Sequence, residues 1–126
     1  MKKLLFILIL GWGSQAMAHG SLELIECHNK DNSMIFSGEA INKQNVFKIK
    51  ALKAGKTVWE KSNVKLALTD TVENNQVIEH IKMETKEGKA HLKVFEVATR
   101  EIRNGTGTFE FSKFKSSGPL SCYAVY

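Results

Sequence analysis

The fold is decided by the stretch VFKIKALKAGKTVWEKSNVKLALT, residues 46–69, in which apolar and polar side chains alternate on both sides of Ala54-Gly55. The apolar positions of this stretch are spaced two apart: Phe47, Ile49, Ala51, Val64, Leu66 and Leu68. Successive side chains of a strand point to opposite faces of a sheet, so this period predicts strands with one buried face and one solvated face. The intervening dipeptide predicts a hairpin turn.

Runs of the same kind follow one another along the rest of the chain. The predicted strands are Leu22 to His28, Met34 to Ile41, Val46 to Leu52, Thr57 to Lys61, Val64 to Thr69, Gln76 to Glu84, Ala90 to Val97, Thr106 to Lys113 and Leu120 to Tyr126. Clusters rich in Asn, Asp and Gly separate them, and Glu87-Gly88 and Asn104-Gly105 are interpreted as turns. Val94 to Arg103 contains enough helix formers for one helical turn as an alternative.

Eight or nine short strands joined by tight connections predict an all-β fold. The simplest arrangement is an antiparallel meander that forms a small barrel or a sandwich, and the strand pattern leaves both open. Four phenylalanines are predicted to lie in the core: Phe36, Phe47, Phe109 and Phe111. Side chains of this size would fill a narrow barrel, which disfavours a hollow ligand-binding interior.

Cys27 and Cys122 are the only cysteines in the chain. In an oxidising compartment a paired disulfide is the default state, so they are predicted to form one bond. Because one cysteine lies near each end of the chain, the bond would join the first strand to the last. Such a link favours a closed barrel, in which these strands are neighbours.

The N-terminus has the pattern of a cleavable signal peptide, residues 1–18. Lys2 and Lys3 precede the apolar run Leu4 to Leu10, and Ala16-Met17-Ala18 is a small-residue cleavage site. A membrane-spanning helix needs roughly 20 apolar residues, and this run is too short. We therefore expect an exported protein, periplasmic or secreted and not membrane-spanning, with residues 19–126 as a single β domain.

Basic residues are concentrated in one segment of the chain. The formal net charge is +5, or +3 without Lys2 and Lys3, and this mild basicity does not imply nucleic-acid binding. The candidate basic binding face consists of Lys48, Lys50, Lys53, Lys56, Trp59 and Lys61. Its partner would be an anionic polymer, a membrane surface or an acidic protein. Alternatively, the lysines between Lys43 and Lys65 protect a sheet edge against pairing with another chain.

His80 and His91 are considered first as metal ligands because they flank Glu87-Gly88. A two-residue turn at this dipeptide pairs Ile81 with Val94 and places the two histidines roughly 13 Å apart at about 3.4 Å per residue. Two ligands of one metal ion lie much closer together. The expectation is therefore two surface histidines that share no metal.

His19 becomes the first residue if cleavage follows Ala18. An N-terminal histidine offers copper both its α-amine and a ring nitrogen. This arrangement resembles the amino-terminal copper chelate of small periplasmic copper carriers and of copper-dependent polysaccharide oxygenases, and the resemblance covers His19 and Gly20 alone. A periplasmic copper-binding or small-ligand protein is the alternative function that follows.

Catalytic sequence motifs are absent from the chain. It contains no G-x-S-x-G, H-E-x-x-H, phosphate-binding glycine loop or C-x-x-C, and no cofactor is expected. Four carboxylates occur among lysines, as on a solvated strand face: Glu79, Glu84, Glu96 and Glu101. The sequence therefore predicts a small exported, non-catalytic binding or interaction protein.

Overall fold

The structure, a computed structural model, describes residues 21–96 and 101–126. In these residues nine strands form one antiparallel sheet. They are β1 (Leu24–His28), β2 (Met34–Ala40), β3 (Val46–Lys53), β4 (Lys56–Lys65), β5 (Ala67–Glu73), β6 (Gln76–Glu84), β7 (Gly88–Phe95), β8 (Ile102–Phe111) and β9 (Leu120–Val125). The predicted signal peptide, its cleavage site and His19 lie outside the described residues.

The strand order is β4-β3-β2-β1-β9-β8-β7-β6-β5, so β4 and β5 are the two edges of the sheet. These edge strands are consecutive in the chain and are separated by Leu66 alone. The chain therefore passes directly from one edge of the sheet to the other, which requires the sheet to curve strongly. The result is an all-β antiparallel meander that forms a half-barrel. This confirms the predicted all-β antiparallel meander and decides against a sandwich. In the described part of the chain the closed barrel that the disulfide favoured is not formed, because β1 and β9 pair in the middle of the sheet and β4 and β5 remain its edges.

The disulfide lies at the middle of the sheet. Cys27 on β1 lies directly opposite Cys122 on β9, with 4.0 Å between their Cα atoms, and the two sulfurs are bonded. The predicted pairing and the predicted link between first and last strands are both confirmed. The bond spans a sequence separation of 95 residues, and closing a loop of that size reduces the entropy of the unfolded chain by the equivalent of about 4–5 kcal/mol.

Aromatic side chains fill the concave face of the half-barrel. The Phe36 ring lies 4.6 Å from the Phe109 ring and 6.1 Å from the Phe114 ring, measured between centroids. Phe47 and Phe111 are also buried there. The predicted four-phenylalanine core is confirmed, and Phe114, which follows β8, is a fifth member that the strand pattern did not identify. Full burial of each such side chain contributes about 1.5–3 kcal/mol.

The β6–β7 hairpin turns one residue earlier than predicted. Thr85 N–H donates to the Gly88 carbonyl oxygen at 2.9 Å, so Lys86 and Glu87 form the turn. Gly88 is a strand residue, and a Cβ at this position would lie 2.4 Å from the Glu110 carbonyl oxygen. Its glycine is needed for close approach of β8 rather than for a turn, which is why the predicted turn is wrong.

The predicted turn at Asn104-Gly105 is wrong for the same physical reason. The dipeptide Asn104-Gly105 lies within β8, which begins at Ile102, and forms no turn. A Cβ on Gly105 would lie 1.7 Å from the Lys93 carbonyl oxygen of β7. The helical turn considered for Val94 to Arg103 is not formed at either end of that segment, because β7 continues to Phe95 and β8 starts at Ile102. Residues 97–100 lie outside the described part of the chain. No helix among residues 21–96 and 101–126 is long and apolar enough to cross a bilayer.

Candidate functional site

A buried charged cluster occupies one end of the concave face. Arg103 is 2% exposed, and its guanidinium lies 3.5 Å from a Glu79 carboxylate oxygen and 3.3 Å from a Glu96 carboxylate oxygen. The Arg103 Cζ atom lies 4.0 Å from the centre of the Tyr126 ring. Glu79 is itself buried, so its predicted place on a solvated face is wrong.

The environment of Glu79 favours its protonated form. Burial raises the pKa of Glu79 to about 7; the nearby Asp70 carboxylate also raises it, and the Arg103 guanidinium opposes the rise. The Tyr126 hydroxyl donates a hydrogen bond to Glu79 Oε1. Two Arg103 atoms, Nε and Nη1, have no hydrogen-bond partner among residues 21–96 and 101–126. Because the cluster is packed between β6, β8 and Tyr126, we assign it a role in stability rather than in contact with a substrate.

A pair of histidines lies on the outer face, the side of the sheet away from the core. His91 lies opposite Lys82, and His80 is two residues before Lys82 on the same face, so the two histidines are diagonal neighbours. His80 Nδ1 lies 2.9 Å from His91 Nε2. The predicted separation is therefore wrong, and the exclusion of a shared metal, which depended on it, no longer holds. His80 is only 8% exposed, so it is not a surface residue as predicted.

Thr71 and Glu73 fix the proton positions in this pair. Thr71 Oγ1 donates its single proton to Glu73 Oε2 at 3.2 Å and lies 2.7 Å from His80 Nε2. In this network we assign His80 Nε2 as the donor to Thr71, which leaves Nδ1 of the neutral ring as an acceptor. The proton between the two rings then belongs to His91 Nε2.

His91 is held in its neutral form by its surroundings. Its pKa is lowered chiefly by burial, further by the repulsion that a protonated His80 would exert, and by the charges of Lys82 and Lys93. A neutral imidazole can offer a lone pair to a hydrogen-bond donor or to a metal ion. Among the described residues, no group of three or more His, Cys, Asp or Glu side chains is arranged to hold a metal ion.

A depression of about 290 Å³ adjoins the histidine pair on the outer face. Ile78 is buried beneath it, and Phe95, directly opposite Ile78 on β7, is 42% exposed. Lys93 and Glu73 provide one charge of each sign at its wall. Glu73 also links it to the pair, since Glu73 Oε2 lies 3.9 Å from His80 Nε2. We name the depression together with His80 and His91 the outer-face site.

A larger open depression of about 650 Å³ lies between the β1–β2 turn and the segment before β9. Its wall consists mainly of turn residues with polar side chains, including Asn29, Asp31 and Ser117. None of the described residues that line it is aromatic. The outer-face site therefore has the stronger combination of an exposed aromatic ring and convergent titratable groups.

The predicted basic binding face is not one surface. Lys50 lies opposite Glu60, and Lys48 forms an ion pair with Glu60 at 3.5 Å. Trp59 lies opposite the buried Ala51, so it points to the concave face, where its ring is 4.9 Å from the Phe111 ring.

The remaining lysines of that predicted face lie elsewhere. Lys61 forms an ion pair with Glu87 at 3.5 Å, and Lys53 and Lys56 pair beside the β3–β4 turn. Lys56 and Lys61 are on the edge strand β4, which is where lysines would protect an edge.

The chain matches no family model, no curated protein and no solved structure.

Proposed function

We propose that the chain is a small exported, non-catalytic binding protein, periplasmic or secreted, that binds its partner through the outer-face site. The Cys27–Cys122 disulfide is consistent with an oxidising compartment. The class of ligand that fits this site is a small amphipathic anion, or a group of that chemistry on a larger partner.

The single observation that carries the proposal is the exposed Phe95 ring beside Lys93 in a formed depression. Small-ligand sites combine an apolar surface with a few placed polar groups, and a volume of about 290 Å³ is near the lower end of their range. Ile78 and Phe95 would contact the apolar part of the ligand. Lys93 would pair with its negative charge.

Two other sites are less well supported. A carrier that uses the barrel interior conflicts with the aromatic side chains that fill it. A copper site at His19 stays a prediction, because His19 lies outside the described residues. Anionic polymers and membrane surfaces are weaker candidates than a small anion, since Lys48 and Lys50 face the Glu60 carboxylate on the neighbouring strand.

A non-catalytic role agrees with the hydrogen-bond directions at this site. The nearest hydroxyl to the histidine pair is that of Thr71, which accepts a hydrogen bond from His80 and gives its own proton to Glu73. A nucleophile activated by histidine needs the opposite direction, with its proton donated to the imidazole. Glu79, the carboxyl with the strongly raised pKa, faces the packed interior.

The proposal is tested with anilinonaphthalene sulfonate, whose rings and sulfonate match the apolar and cationic parts of the site. The ¹⁵N-labelled chain from residue 19 is titrated in EDTA and followed by NMR. We expect shifts confined to β5–β8 and loss of binding in Lys93→Gln, because the sulfonate loses its counter-charge. Lys89→Gln, on the same face of β7, is the matched control. Shifts centred elsewhere, or unchanged binding by Lys93→Gln, would refute the proposed surface.

A further inference from the structure

We propose that His80 and His91 form a chelating site for a Cu(II) ion on the outer face. The two ring nitrogens that face each other are 2.9 Å apart. With metal–nitrogen bonds of about 2.0–2.1 Å, adjacent ligands of a square-planar ion are about 2.9 Å apart, and those of a tetrahedral ion about 3.3 Å. The observed spacing is that of a hydrogen bond between the rings, and it is also close to the distance between adjacent ligands of a square-planar ion such as Cu(II).

The metal takes the place of the proton that the two rings share. His80 Nδ1 already presents a lone pair, because its other nitrogen is engaged by Thr71. His91 moves its proton from Nε2 to Nδ1, so the ring stays neutral and no proton is released. The centres of the two rings are 5.1 Å apart. With 2.9 Å between the nitrogens, this distance means that the two nitrogens point almost directly at each other. Each ring must therefore tilt to direct its lone pair at an ion beside the line that joins the nitrogens.

The supporting interactions are those that histidine ligands require. A metal-bound histidine usually donates its second N–H to a carboxylate or another oxygen acceptor, which fixes the ring and its tautomer. His80 Nε2 donates to Thr71 Oγ1, which donates to the Glu73 carboxylate. Both histidines project from adjacent strands in the sheet interior, so the backbone holds their spacing.

Two protein ligands leave the other copper positions to water or to an outside ligand. Glu73 approaches the opposite side of the His80 ring and cannot bind the same ion. Lys82 and Lys93 lie directly opposite His91 and His80 and repel a dication. The depression beside the pair offers a place for an anion that neutralises Lys93 and binds the copper ion. The inference deepens the proposed function by adding a metal to the same site, but copper binding does not depend on a second ligand.

The test uses the metal-free chain from residue 19 carrying His19→Ala, which removes the competing N-terminal imidazole. Cu(II) is titrated by calorimetry, and the bound ion is examined by electron paramagnetic resonance. We expect one ion per chain with two coordinated nitrogens. The site should be lost in His91→Gln and unchanged in His28→Gln, the control histidine on the outer side of β1. No binding by the parent chain, or equal binding by His91→Gln, overturns the proposal.

Two further variants separate a metal site from a merely structural histidine pair. Thr71→Val removes the hydroxyl that orients His80 and should weaken copper binding roughly tenfold without loss of either ligand. The double variant Lys82→Gln, Lys93→Gln should bind copper several-fold more tightly, because two repelling charges are gone. Weaker binding by the lysine variant in a folded protein refutes the site. The same double variant should no longer bind anilinonaphthalene sulfonate, because it lacks Lys93. Copper binding and sulfonate binding therefore change in opposite directions, and failure of the copper site can be distinguished from failure of the proposed function.

Discussion

Replacement of Arg103 by methionine tests whether the buried charged cluster stabilises the half-barrel. Methionine keeps much of the length and apolar surface of arginine but removes its charge. The Glu79 and Glu96 carboxyl groups then face each other without the guanidinium that lies 3.5 Å from one and 3.3 Å from the other. We expect a marked loss of stability with no change in fold.

The expected magnitude follows from these distances. At an effective dielectric constant of about 20, opposite unit charges 3.3–3.5 Å apart attract each other by about 5 kcal/mol. Desolvation of the arginine, whose Nε and Nη1 find no hydrogen-bond partner in the part of the chain that the structure describes, offsets part of this attraction. Removal of one partner from a buried pair typically costs about 3–5 kcal/mol, which is the loss we expect for Arg103→Met at pH 8.

Urea unfolding followed by Trp59 fluorescence measures this loss, since Trp59 packs against Phe111 in the core. The double variant Arg103→Met, Glu79→Gln removes the repelling carboxylate as well and should recover at least about 1 kcal/mol. Lys89→Met, an exposed control, should stay within about 0.5 kcal/mol of wild type. An Arg103→Met protein that loses less than about 1 kcal/mol, or strictly additive losses in the double variant, would refute the reasoning.

Three other perturbations test the fold. The pKa of Glu79 is raised from 4.5 to about 7, so its contribution to stability is complete below pH 4.5 and is lost as the pH rises through about 7, by about 3 kcal/mol in total. Urea unfolding in EDTA should show this decline in wild type and a flatter profile in Glu79→Gln; parallel profiles would contradict it. Replacement of Cys27 and Cys122 by alanine should cost about 2–5 kcal/mol by the same assay, and a smaller loss would show that the unfolded chain is little constrained by the bond. Gly105→Ala should cost about 3 kcal/mol, the upper end of the usual range for overpacking, because the new Cβ would lie 1.7 Å from a carbonyl oxygen of β7. Gly118→Ala, where nothing lies within 4 Å, is its control, and similar thermal midpoints for the two would contradict the packing argument.

The fold was predictable because its determinants are local. Alternation in residues 46–53 predicts the buried side chains of β3 correctly, and the turn at Ala54-Gly55 is formed with positive φ at both residues. The pattern is less regular in β4, where the adjacent Val58 and Trp59 are both half-buried, and the predicted strand Val64 to Thr69 is divided between β4 and β5 at Leu66. The cysteine pair needed no spatial knowledge, since the chain has only two. The edge strands and the curvature of the sheet were harder to predict from the sequence. The chain passes from one edge strand to the other at Leu66, and this is evident only once the order of all nine strands is known.

Arg103 shows why the buried cluster could not be predicted. Arginine is almost never fully buried unless paired, so composition places it on the surface. Its partners come from the distant strand β6 and from Glu96, just beyond β7. Their approach depends on the curvature of the sheet and the position of β8. The alternation in β8 does place Arg103 on the same face as Phe109, and this was the one available signal.

The outer-face site depends on the β6–β7 register, which Gly88 makes difficult to predict from the sequence. Sequence parity already places His80 and His91 on the same face, but their separation changes with the position of the hairpin turn. A glycine after Glu87 suggests a turn. In the structure, however, Gly88 lies in a strand, and β8 passes too close to it for any residue with a Cβ. Moving the turn to Lys86-Glu87 shifts every β6–β7 pair by two residues, so the two histidines are two positions apart along the hairpin instead of the predicted four, a distance of roughly 13 Å. At this closer spacing their ring nitrogens lie 2.9 Å apart. A strand glycine that serves close packing can thus conceal a candidate metal site, because it changes register without changing which face a side chain occupies.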